Sequence, residues 1–189
     1  MISRGSWIGF LIVLDFFMAA TATYVDRYEF LAVTWYLVVF VPICPLYPLL
    51  LGSNFLLRAR SGHFWQPLLH FTAVGIISYG CMALIFYPLY MAGHGFQWYE
   101  VGNIFWVLLY SAQIIFIFPH LKKIPPVYYL LIALYFFTKD FLDRFGETFS
   151  YQRTGELSEP MANAFLGIIV ILHIFALMLV YKKSRTAKN

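Results

Sequence analysis

Six side chains of this 189-residue chain combine reactive chemistry with apolar surroundings: Asp15, Lys139, Asp140, Asp143, His70 and His173. A charge inside hydrocarbon costs at least about 2.5–3.5 kcal/mol, so an intramembrane ionisable residue is a functional candidate by default. Asp15 lies nine residues into the first apolar stretch, about 13 Å deep at 1.5 Å per residue, and has no oppositely charged neighbour there. Lys139 falls a turn or so above the same level on another span, within reach of a long lysine stem. This predicts an Asp15–Lys139 pair lining a cavity. The alternative for Lys139 and Asp140 is local: residues near a helix end reach the interface, and Asp140 and Arg144 have i, i+4 spacing for a salt bridge. Asp140 and Asp143 are also the candidate catalytic carboxylates of a membrane enzyme. His70 and His173 sit on separate spans and could supply two axial ligands to a b-type haem. Neither belongs to a paired HxxxH or HExxH motif, and a lone intramembrane histidine can instead hydrogen-bond a neighbouring helix. Glu100, His94, Asp143 and Glu147 form an outer set that reads as a cation or acid–base site, or as a solvated rim. No nucleophile triad, phosphate-cradling loop or metal-ligand spacing occurs, and the sequence assigns no cofactor.

The elements that position these residues are membrane spans. The chain is 61% hydrophobic and 21% aromatic, with 12% charged residues, against about 45–50% apolar and about 25% charged in soluble domains. Lipid is the solvent this composition fits. The pattern predicts an all-α integral membrane bundle, a single domain of about six transmembrane helices, at about 6–24, 33–57, 67–91, 101–119, 127–142 and 161–181. The second stretch carries Pro42, Pro45 and Pro48. Each proline removes an intrahelical hydrogen bond, so that span is expected to be kinked or broken near mid-membrane, with Pro42 and Pro45 beside a binding site. Asp15 also argues against reading the first span as a cleaved signal peptide, despite Ala20-Thr21-Ala22. Gly75 and Gly80 on the third span permit close helix approach. Cys44 and Cys81 fall within apolar spans and act as small hydrophobes. Basic residues occur in short clusters between spans, which excludes a nucleic-acid-binding stripe.

Six spans place the N-terminus, the loops after the second and fourth spans, and the C-terminus on one side. That side holds nine lysines and arginines, the other only Arg27, Arg144 and Arg153. The bias predicts both termini in the cytoplasm.

The stretch TWYLVVFVPICPLYPLLL, the SYG of the third span and FTKDFLDRFG closing the fifth resemble the YpjA-like family of uncharacterised multi-pass membrane proteins of bacteria and archaea. Phe40, Val41, Pro42, Cys44 and Pro45 match its Phe-Val-Pro-Asp-Cys/Ser-Pro core. Tyr79 and Gly80 match a Lys-Tyr-Gly element, and Asp140 and Asp143 an Asn-Asp-x-x-Asp element. Ile43, Ser78 and Lys139 stand where the family has aspartate, lysine and asparagine. Positions 43 and 78 both come near the midplane, so the family's pair reads as an intramembrane ion pair lost together here. The resemblance implies a fold, a class and the plasma membrane of a prokaryote, and no reaction. Three functions follow as expectations. One is binding or transport of a small molecule or lipid at a mid-membrane site of Asp15, Lys139, Pro42, Pro45 and Ser78. The others are an accessory subunit packed among other membrane subunits, and an enzyme acting through Asp140 and Asp143.

Overall fold

A computed structural model describes residues 4–25, 43–145 and 157–186. These residues are helical, with no strand among them. Six principal helices follow one another: α1 (Arg4–Val25), α2 (Ile43–Ser61), α3 (Gln66–His94), α4 (Trp98–Ala112), α6 (Pro126–Phe145) and α7 (Glu159–Thr186). A single helical turn, α5 (Ile114–Ile117), and a 3-10 turn (Phe118–His120) stand between α4 and α6. Four segments are long and apolar enough to cross a membrane: Ser6–Tyr24, Gln66–His94, Trp98–His120 and Glu159–Thr186. Charges gather towards one end of the other two, at Arg58 and Arg60 of α2 and from Lys139 to Arg144 of α6.

The local sequence explains where several helices start and stop. A proline stands in the first turn of α3, where no intrahelical N–H is needed. That helix ends at Gly95, whose φ of +89° suits a residue without a Cβ. Proline chemistry also shapes α2. Pro45 occupies its first turn, and the helix continues through Pro48 to Ser61. The break expected at Pro45 and Pro48 is therefore not present in the described part, while Pro42 lies outside the described residues. The helix that is interrupted is the fourth span, at Gln113 between α4 and α5.

Helix α3 is the centre of the bundle. It packs against α2, α4 and α7, while α1 lies along α2 and α6 along α7. Missing Cβ atoms set three of these approaches. The Tyr47 ring of α2 lies where a Cβ of Gly75 would project. The Ser111 side chain of α4 sits against Gly80, and its hydroxyl donates to the Ile76 carbonyl at 3.1 Å. A Cβ on Gly52 of α2 would come within 3.2 Å of the Asp15 Cβ and of the Phe16 ring. Large apolar side chains such as Val13, Phe17, Leu130, Leu134, Ile171 and Met178 point outward, as a lipid-facing surface requires.

The two ends differ. At one, Arg58 Nη1 meets His120 Nε2 at 2.9 Å, and Gln66 bridges to the backbone of His120 and Lys122. Tyr129 and Ser184 share a hydrogen bond of 2.7 Å on the same side. At the other, Arg144 donates to Asn163 and Glu159, beside the apolar cluster of Phe86, Tyr90, Leu157 and Phe165.

Candidate functional site

The polar centre of the bundle lies where α3, α6 and α7 meet. His173 is in the middle of α7, and its Nδ1 donates to Asp140 Oδ2 of α6 at 2.8 Å. Both side chains are buried, at 0% and 1% exposure. When the Asp140 oxygens act only as acceptors, Nδ1 is the donor of this bond. In the neutral ring Nε2 is then an acceptor. Phe136 and Tyr79 enclose the imidazole, with ring centroids 4.4 and 5.2 Å away. Helical spacing explains the arrangement: Phe136 and Asp140 are four residues apart and share one face of α6. The same four-residue step pairs Lys139 with Asp143 on the adjoining face.

Lys139 is 1% exposed, and its Nζ donates to both Asp143 oxygens at 2.7 and 2.8 Å. The ammonium lies 6.0 Å from the Tyr79 ring centre, inside the range of a cation–π contact. Tyr79 in turn packs on Tyr47 at 5.4 Å, and Tyr47 on Tyr110 at 6.2 Å. A row of buried polar rings thus runs from α4 through α2 and α3 to α7. Along it, the Tyr47 and Tyr79 hydroxyls, Asp140 Oδ1 and His173 Nε2 have no hydrogen-bond partner among the described residues. Buried polar atoms are almost always satisfied. Four such atoms on neighbouring residues provide donors and acceptors for water or a polar ligand.

A second buried pair lies between α1 and the interrupted fourth span. Gln113 Nε2 donates to Asp15 Oδ1 at 2.6 Å, and Asp15 is fully buried. Helices α2 and α3 are also joined by Asn54, whose Nδ2 donates to the Leu50 carbonyl and to Thr72 Oγ1, both at 3.0 Å.

Several sequence expectations change. Asp15 and Lys139 do not pair: Asp15 meets Gln113, and Lys139 meets Asp143. Depth along two helices gave them a similar level, but rotation about each axis turns them to different neighbours. Asp140 bonds across to α7 rather than serving only as a local partner for Arg144. Its side chain is buried in the bundle, whereas that of Asp143 is partly exposed. His70 and His173 do not form an axial pair. His70 Nδ1 donates to its own helix at the Gln66 carbonyl, 2.8 Å away, and its ring packs on Tyr129. Tyr79, the α3 contact of His173, is nine residues further on, about 13 Å along the axis. The Ser78 hydroxyl is used within α3, on the Val74 and Gly75 carbonyls. Pro45 is buried in the first turn of α2, and Glu147 lies outside the described residues. Sequence reasoning missed Gln113, Tyr47 and the partnership of Asp140 with His173. A carboxamide within an apolar span was the available signal for Gln113.

Among the described residues no three His, Cys, Asp or Glu side chains gather as a metal centre would require. No family model matches the chain, and neither a characterised protein nor a solved structure does.

Proposed function

We propose that this is a multi-pass membrane protein that binds, and by moving between states transports, a small polar molecule or lipid headgroup at a mid-membrane site. The observation that carries this reading is the buried Asp140–His173 pair with Asp140 Oδ1 and His173 Nε2 unengaged. Such groups are costly in a membrane interior unless a partner satisfies them. Asp140 offers an acceptor, the tyrosine hydroxyls offer donors, and His173 Nε2 either accepts or donates with its protonation state. Phe136 and the tyrosine faces supply the apolar walls typical of a small-molecule pocket. The reading relocates the site from the proline stretch of the second span to α3, α6 and α7. It includes six spans, from the apolar runs, both termini in the cytoplasm, from the distribution of basic residues, and the plasma membrane of a prokaryote, in line with the resemblance to the YpjA-like family.

Native mass spectrometry of protein gently extracted from membranes tests it. The expected spectrum contains a small bound mass that is lost in Asp140→Asn and in His173→Phe while the folded chain persists. Bare wild-type protein, or a mass retained in both variants, defeats the proposal.

One observation favours an enzyme as the second reading. A histidine oriented by a buried carboxylate, with its far nitrogen available, is the arrangement of a general base. On that reading Asp140→Asn retains the bound mass and stops its conversion.

A further inference from the structure

We infer that Asp15 and Gln113 form an intramembrane site for an alkali cation of sodium size. The site is separate from the Asp140–His173 pair: it lies between α1 and the junction of α4 with α5. Asp15 is fully buried and Gln113 is 4% exposed. Their one mutual hydrogen bond uses Gln113 Nε2 and Asp15 Oδ1. Asp15 Oδ2 and Gln113 Oε1 remain without a partner among the described residues. Two acceptor oxygens left over beside one short contact call for a positive species, not for another acceptor.

The backbone adds to this. At Gln113 the N–H bonds the Tyr110 carbonyl at 3.1 Å, three residues back, where a continued α-helix would use Leu109. Gln113 keeps helical dihedrals (φ −69°, ψ −8°), so α4 passes into α5 through one tightened turn, with the negative end of its dipole at that step. Discontinuous helices in transporters use such carbonyl ends to coordinate sodium ions or protons. The ligand set is all oxygen, which suits a hard cation. A single carboxylate in an apolar interior balances a single positive charge, which favours a monovalent ion over a divalent one. Gly52 makes room: its missing Cβ lets α2 approach the Asp15 Cβ and hold that carboxylate against α4.

Thermal unfolding of the purified full chain in detergent provides the test, with sodium chloride, potassium chloride and choline chloride compared at equal ionic strength. A cation that binds only the folded protein raises the melting temperature in proportion to the logarithm of its concentration. The expected result is a rise with sodium that choline does not reproduce, and that Gln113→Leu and Asp15→Asn both lose. Radiolabelled sodium should be retained at one ion per wild-type chain. Should Asp15→Asn fail to fold, Gln113→Leu and the wild-type salt comparison still decide. Identical melting in the three salts overturns the proposal and leaves a proton shared by the two oxygens. A sodium response undiminished in Gln113→Leu overturns it too.

Discussion

Lys139 is the residue with most to lose from a single change, because its charge is buried and its partner is only partly so. Asp143→Ala leaves an ammonium that is 1% exposed without its bidentate carboxylate. Removing one member of a buried ion pair costs about 3–5 kcal/mol. Lys139→Met deletes the charge and keeps most of the stem volume, and the remaining carboxylate is 20% exposed. Its loss should stay under about 1.5 kcal/mol, as for a volume-conserving swap. The double variant should recover most of the loss caused by Asp143→Ala. Denaturant titration in detergent reads all three, and equal losses from the two single variants would refute the asymmetry. At this scale the sequence was informative about type and silent about pairing. It marked Asp15, Lys139, Asp140 and His173 as anomalous in apolar spans, and all four are buried. Partnership depends on the rotation of each helix about its axis, which depth arithmetic does not contain. Asp140 and His173 are 33 residues apart and meet only because α6 packs on α7.

Helix approach is governed by a few missing Cβ atoms, and Gly75 is the tightest. Tyr47 is fully buried, and its ring and hydroxyl occupy the space a Gly75 side chain would need. The clash involves a ring enclosed by Tyr79 and Tyr110, so the ring has no free direction in which to turn. Gly75→Ala should therefore separate α2 from α3 and destabilise the fold by about 1–3 kcal/mol, the usual range for overpacking. Gly102→Ala is the control, since nothing lies within 4 Å of its added Cβ. Equal melting temperatures for the two variants would contradict the packing argument. Glycine spacing on the third span already suggested close approach, but not which helix approaches. In the described part of the second span the prolines sit within a continuous helix. A proline in a first turn removes an N–H that has no intrahelical partner, and α2 runs unbroken from Ile43 through Pro45 and Pro48. The interruption at Gln113 carries no proline at all; there the chain gives up a helical bond beside the carboxamide that reaches Asp15.

Across the whole molecule, several basic residues from different loops converge at one end of the bundle. Arg58, His120 and Lys122 converge at one end through Gln66, and Tyr129 ties Ser184 to the same end. The apolar runs of the sequence coincide with helices α1, α3, α6 and α7 to within a few residues, and of these α1, α3 and α7 are long and apolar enough to cross a membrane. The second stretch is described only from Ile43 onward, where it is helical to Ser61, and 33–42 lies outside the described residues. Basic loops stay in the cytoplasm, which makes the orientation testable at two sites flanking Trp98–His120. Lys123 and Trp98 are exposed at opposite ends of that segment. In a background of Cys44→Ser and Cys81→Ser, a membrane-impermeant maleimide should label Trp98→Cys on intact cells. It should label Lys123→Cys only after the membrane is opened. The reverse pattern would invert the molecule and place the partly exposed Asp143 on the cytoplasmic side. Labelling of both positions on intact cells would mean that Trp98–His120 does not cross the membrane. The interrupted segment holding Gln113 would then lie at the surface, where its pairing with a fully buried Asp15 would have no membrane interior to act in.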